Sequence, residues 1–125
     1  MGRDPLMVWG ARSDTLYGLV SLMDRASDDV GKARIPTFYL YGAHDQIIPK
    51  HAAFRAVRNL KPSDQTAYYA QGYHLLTRDH QGPVVWADIL AFIRDASAPR
   101  PSGAPPIPGA AKLTSASATA GASAP

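Results

Sequence analysis

Three stretches of the chain carry apolar residues at helical spacing, and two short stretches between them are rich in aromatic and β-prone residues. The spacing predicts helices over residues 13–26, 50–60 and 83–96, while the runs TFYLYG (37–42) and QTAYYA (65–70) predict buried strands. The order helix, strand, helix, strand, helix is typical of an α/β unit with a parallel sheet and right-handed crossovers. Two parallel strands need cover on their faces and neighbours at their edges, so we expect these to be the edge of a larger sheet.

The end of the sequence differs in composition from the rest. The chain has 125 residues, enough for one small domain with one core. Residues 98–125 consist almost entirely of Ala, Pro, Ser and Gly and contain no aromatic residue. Such a stretch offers little apolar surface to offset the entropy of ordering, so we predict that it is a disordered tail.

Composition argues against several kinds of partner. The formal net charge is +3, and the Arg side chains are spread along the chain without interleaved aromatic residues, which does not favour nucleic-acid binding. The absence of Cys excludes disulfides, thiolate metal sites and a Cys nucleophile. Since His44, His51 and His80 form no i, i+4 pair, we expect neither a metal nor another cofactor.

The sequence gives no membrane or targeting signal. No apolar run approaches the roughly 18–20 residues of a membrane span, and the first residues lack the apolar core of a signal peptide. We therefore expect no stable membrane insertion. The compartment stays unknown, with the cytoplasm as the default expectation.

An acid and a histidine follow the two predicted strands. Asp45 comes just after the first strand and its glycine, and His74 comes just after the second. Because the carboxyl ends of neighbouring parallel strands meet at one edge of a sheet, we expect these side chains to lie close together. A carboxylate that holds an imidazole forms a general-base pair. The alternatives are that Asp45 is a turn residue or helix cap and that His74 is an ordinary surface histidine.

Other candidate residues have less specific interpretations. None of the serines lies in a G-x-S-x-G nucleophile elbow. Arg78 and Asp79 are expected to form local salt bridges or to cap the last helix. The apolar residues near the first helix favour ordinary core over the lining of an acyl pocket; they are Trp9, Leu16, Tyr17, Leu19 and Met23.

Two longer motifs resemble a known family. The segments IPTFYLYGAHDQIIP and GYHLLTRDHQGPVVWADILAFI are similar to the closing portion of α/β-hydrolases of the serine aminopeptidase and monoacylglycerol lipase-like (lysophospholipase) group. That group has the pattern G-x-x-D-x-[IV]-[IV]-P after one strand and Y-H-x-L-x-R-D after the next. The resemblance covers about residues 35–93, and the preceding segment DPLMVWGARSDTLYGLVSLMDRA resembles the return from the family's cap to its core.

The resemblance implies a fold, an activity and two site residues. The expected fold is the C-terminal part of an α/β-hydrolase, with a cap end over residues 1–34, a strand–helix–strand–helix segment over 35–97 and the tail over 98–125. The implied activity is hydrolysis of carboxylic esters such as monoacylglycerols or lysophospholipids, with Asp45 as the acid and His74 as the base of a Ser-His-Asp triad. Since the serine has no counterpart, we expect this chain to be inactive by itself. The alternatives are a non-catalytic fragment and a small α/β binding module.

Overall fold

The computed structural model describes Pro5 and residues 10–110 of the chain. It contains three helices and two strands in the predicted order, with short 3-10 turns at Val30–Lys32 and Leu76–Arg78. The main elements are α1 (Ser13–Asp29), β1 (Phe38–Gly42), α2 (Lys50–Val57), β2 (Gln65–Tyr69) and α3 (Gly82–Arg94).

The two strands form a parallel pair, as the helix–strand alternation predicts. Phe38 of β1 faces Gln65 of β2, and the register continues without a bulge to Gly42 opposite Tyr69. Within the described part of the chain the sheet has only these two strands. Both strands therefore end at the same edge, so that the loops following them are neighbours.

Apolar side chains pack on both faces of the sheet. On one face, Tyr41 packs with Val57 of α2 and with Leu60, all of them buried. On the other face, Ala67 and Tyr69 pack with Val85 of α3. A ring contact between Phe38 and Phe92, with centroids 5.1 Å apart, extends the second cluster. Because side chains alternate between the two faces along each strand, this short sheet has one small core on each face.

The prediction of a disordered tail is wrong for residues 98–110, a segment that we call the strap. Ile107 is fully buried in the cluster around Tyr41. The strap also lies along the outer edge of β2, where Tyr68 N donates to Pro105 O at 2.8 Å and Ile107 N donates to Thr66 Oγ1 at 3.0 Å. An edge strand exposes unpaired backbone groups, and the strap satisfies one of them, Tyr68 N. The rest of the predicted tail, residues 111–125, lies outside the described residues.

A buried acid fastens the strap to α3. Asp88 is 1% exposed and accepts hydrogen bonds from the Tyr69 hydroxyl at 2.7 Å and from Ser102 N at 2.9 Å. The Ser102 hydroxyl also donates to this carboxylate. Burial raises the pKa of Tyr69, and the hydrogen bond to Asp88 and the charge of Asp88 add to the effect. Because a buried carboxylate requires donors, this network ties together β2, α3 and the strap.

The expectation that α1 packs as ordinary core is wrong in this structure, since none of its residues is buried. The apolar side chains on it stay exposed, from 45% for Met23 to 76% for Tyr17. An ion pair between Arg55 Nη2 and Asp24 Oδ1, at 2.9 Å, links the helix to α2. Trp9, which precedes the helix, lies outside the described residues. No helix in the described part of the chain has the length and hydropathy of a membrane span.

Candidate active site

Two glycines let the strand-end loops approach each other. A Cβ on Gly42 would lie only 2.5 Å from the carbonyl oxygen of Gly72, so no side chain fits at this point. The loops are joined by backbone hydrogen bonds from Ala43 N to Tyr69 O at 2.9 Å and from His44 N to Gly72 O at 2.8 Å. The close contact places the residues that follow each glycine side by side.

Asp45 is held by its own loop. Its Oδ1 accepts hydrogen bonds from Ile47 N at 2.8 Å and from Ile48 N at 2.9 Å. The carbonyl of Ile48 in turn accepts a hydrogen bond from the Tyr41 hydroxyl at 2.7 Å, which ties the loop to β1. The Asp45 side chain is only 7% exposed. These contacts fix one carboxylate oxygen and leave the other, Oδ2, to point across to the second loop.

His74 lies opposite that free oxygen. Its Nδ1 is 3.1 Å from Asp45 Oδ2, and its side chain is 42% exposed. An ionised carboxylate only accepts hydrogen bonds, so Nδ1 carries the proton in this contact and a neutral ring has its lone pair on Nε2. Among the described residues, Asp45 is the hydrogen-bonding partner of the His74 side chain. The structure thus brings together the acid and the histidine that the sequence placed at adjacent strand ends.

The carboxylate of Asp45 stays ionised in spite of its burial. Burial by itself raises the pKa of Asp45, but the hydrogen bonds from Ile48 N, His74 and Ile47 N outweigh it and hold the pKa below its ordinary value. An ionised acid beside Nδ1 stabilises the positive charge that the ring acquires when Nε2 takes up a proton. The arrangement can therefore act as a general base with a fixed tautomer.

Asp79 has a role that differs from the predicted ion pair or helix cap. Its Oδ2 accepts from Tyr73 N at 3.1 Å, and its Oδ1 accepts from His80 N at 2.7 Å. Among the described residues it forms no ion pair with Arg78, and α3 has no side-chain cap. Because Tyr73 adjoins His74, the Asp79 carboxylate orders the histidine loop. The sequence signal was only the acid five residues after the histidine, which is not specific to this role.

The surroundings of the pair are apolar and open. Ile47, Tyr73 and Leu75 flank Asp45 and His74 in sequence, and each is more than half exposed. The His44 ring stacks on Tyr73 with centroids 5.3 Å apart. The described residues contain no group of three His, Asp or Glu side chains that could hold a metal ion.

Comparison with known proteins identifies the family. Residues 1–81 match the family described as serine aminopeptidase, S33, and the match includes both Asp45 and His74. No curated protein and no solved structure gives a significant match. The family implies an α/β-hydrolase fold, with which the helices and the two parallel strands are consistent. With most of its length matched, the chain belongs to the serine aminopeptidase S33 family of α/β-hydrolases.

Proposed function

We propose that Asp45 and His74 are the acid and base of a Ser-His-Asp triad in a serine hydrolase that cleaves carboxylic esters. Monoacylglycerols and lysophospholipids are the substrate class, in line with the resemblance of the two loop motifs to the monoacylglycerol lipase-like group. The observation that carries the proposal is the contact of 3.1 Å between His74 Nδ1 and Oδ2 of the largely buried Asp45 side chain.

In the proposed mechanism, His74 Nε2 takes the proton from a serine hydroxyl as the serine attacks the ester carbonyl. The imidazolium then gives this proton to the leaving alcohol, and the acyl-enzyme is hydrolysed by water through the same base. Asp45 keeps the ring in the tautomer with Nδ1 protonated and stabilises its positive charge. Since residues 1–125 contain no G-x-S-x-G elbow, the mechanism requires a serine and an oxyanion hole from outside this sequence.

The exposure of the two side chains supports these roles. The acid is only 7% exposed, so little water competes for its hydrogen bonds. The histidine side chain is 42% exposed, as expected of a base that must meet a reacting group. A histidine whose only role was to cap a loop would not need an exposed side chain.

A test of activity requires the missing serine. We expect the 125-residue chain alone to show no labelling by a fluorophosphonate probe. If a partner polypeptide or longer chain with a G-x-S-x-G motif restores ester hydrolysis, His74→Ala should lower kcat by roughly four orders of magnitude and Asp45→Asn by a comparable but smaller factor. The matched control is His51→Ala, because this exposed histidine lies on α2. Effects on kcat no larger than that of the control would refute the assignment.

The isolated chain gives a second test that needs no activity. Nitrogen-15 chemical shifts of the His74 ring should report Nδ1 as the protonated nitrogen in the neutral state. Asp45→Asn should reduce this preference, since an amide is a weaker acceptor than a carboxylate. A tautomer equilibrium that Asp45→Asn leaves unchanged would show that the contact does not hold the ring.

A non-catalytic role is the second candidate, and one specific observation favours it. Asp45 Oδ1 caps its own loop through Ile47 N and Ile48 N, which is a structural task independent of any substrate. If the chain is a non-catalytic fragment or a small binding module, Asp45→Asn would still lower the stability of the fold. Adding a polypeptide that carries the serine would then never produce an active complex. Restored hydrolysis that depends on His74 distinguishes the triad from this alternative.

A further inference from the structure

A second site lies at the opposite end of the strands from Asp45 and His74. An open groove of about 690 Å³ is formed where the loop before β2, the start of β2 and the strap meet the segment that leads into β1. The strap contributes Arg100, Pro106 and Ala110 to the walls of this groove. We call it the amino-end groove, and its principal lining residues are Arg34, Pro36, Leu60, Lys61, Asp64 and Arg100.

The charges in the amino-end groove do not balance. Among the described residues that line it, Asp64 is the only acid, and its side chain is 0% exposed. Its carboxylate accepts hydrogen bonds from Thr37 N at 3.1 Å and from Lys61 N at 2.9 Å, and Lys61 Nζ is 3.5 Å away. Because this acid is occupied by the backbone and by Lys61, it does not neutralise the remaining cations.

Two guanidinium groups remain to face a ligand. Arg100 donates from Nε to Ala104 O at 2.9 Å and makes a longer contact of 3.4 Å from Nη1 to Gln65 Oε1, which leaves Nη2 available. Arg34 is exposed and makes no hydrogen bond or ion pair with the residues that the structure describes. Planar guanidinium groups are suited to carboxylate and phosphate oxygens.

The other walls of the groove are apolar. Pro36, Leu60 and Pro106 line it, with Pro62 and Ala110 beside them. Small-molecule sites commonly have a volume of about 300–1,000 Å³ and combine mostly apolar walls with a few directional polar groups. A cationic ligand would find no free acid among the described lining residues, and a wholly apolar ligand would bury the guanidinium groups without a partner.

We propose that the amino-end groove binds a small organic anion, a carboxylate or phosphate attached to a short apolar body. The anionic group pairs with Arg34 and Arg100, and the apolar body lies against the proline and leucine walls. The site is independent of the proposed hydrolase activity, since it lies at the other end of the sheet and includes neither Asp45 nor His74.

The test is a titration of the nitrogen-15-labelled 125-residue chain, followed by amide chemical shifts. The probes are octanoate, octyl phosphate and, as the uncharged comparison, octan-1-ol, all kept below micellar concentration. We expect saturable shifts confined to residues 33–37, 60–66 and 96–110 for at least one anion, with at least ten-fold weaker binding of the alcohol. The better of the two anions identifies the head group.

Variants separate the groove from general electrostatic attraction. Arg34→Gln should weaken anion binding five- to ten-fold, and Arg34→Lys should recover part of it. Arg25→Gln removes the same charge from an exposed position on α1 and should leave binding unchanged, as should His74→Ala. Arg34 is preferred to Arg100 as the test position because Arg100 also holds the strap. Shifts that are absent or spread over the surface, or equal losses in Arg34→Gln and Arg25→Gln, would overturn the proposal.

Discussion

Replacing Ile107 with Ala tests whether the strap is part of the folded core. The Ile107 side chain is fully buried against Tyr41, Val57 and Leu60. Removing the buried side-chain atoms beyond Cβ from such a site commonly lowers the free energy of unfolding by about 2–5 kcal/mol, through lost transfer free energy and the cavity that remains. We expect about 2–4 kcal/mol here, because a terminal segment can relax into part of the cavity.

Two measurements distinguish local release of the strap from global destabilisation. Urea unfolding, followed by circular dichroism, reports the free energy of unfolding of the whole domain. Amide hydrogen exchange at Tyr68 reports the strap directly, because Tyr68 N donates to Pro105 O. A loss of 2 kcal/mol in strap docking should speed this exchange about thirty-fold.

The matched control is Ile93→Ala on α3. This side chain is the same size but 71% exposed, so its removal should change the free energy of unfolding by less than about 0.5 kcal/mol. If Ile107→Ala were no more costly than Ile93→Ala and left the Tyr68 exchange rate unchanged, the docked strap would be refuted.

Three further substitutions test other contacts. Tyr69→Phe removes a donor to the buried Asp88, and we expect urea unfolding to show a loss of about 1–3 kcal/mol. Gly42→Ala should also destabilise the fold, because its Cβ would lie 2.5 Å from a backbone oxygen, whereas Gly18→Ala meets open space on α1 and should be neutral or stabilising. Asp45→Asn should cost about 1–2 kcal/mol at pH 7. Because the pKa of Asp45 is lowered in the folded state, the difference in free energy of unfolding between the parent chain and the Asp45→Asn variant has its full size above the ordinary pKa of 3.8. It disappears as the pH falls below 3.8 and through the folded-state pKa. Unfolding measured as a function of pH would check this.

The candidate site could be predicted from local features of the sequence. Each strand ends in a glycine-containing turn, and the acid and the histidine follow within a few residues. Parallel strands joined by a helix must end at the same edge, so the adjacency of Asp45 and His74 follows from chain order. The distance of 3.1 Å and the caps on Asp45 Oδ1 depend on loop conformations that composition does not specify.

The helices and strands also follow from the local sequence pattern, but the pattern does not show which face of each element is buried by a neighbour. The apolar period of α1 predicts its helix, whereas no neighbour among the described residues buries its stripe. Whether an amphipathic face is covered depends on the surfaces around it, which periodicity does not identify.

The sequence by itself determined the order of the elements, their parallel pairing and the two side chains at the strand ends, because each depends on spacing along the chain. Only the tertiary structure determined where the strap packs and, with it, the shape of the amino-end groove. A proline-rich segment has few backbone donors and no apolar period, yet its carbonyls can accept from an edge strand, as Pro105 O does from Tyr68 N. One isoleucine that fills a gap between β1 and α2 then fixes the segment, and such a fit between distant surfaces leaves no periodic signal in the sequence.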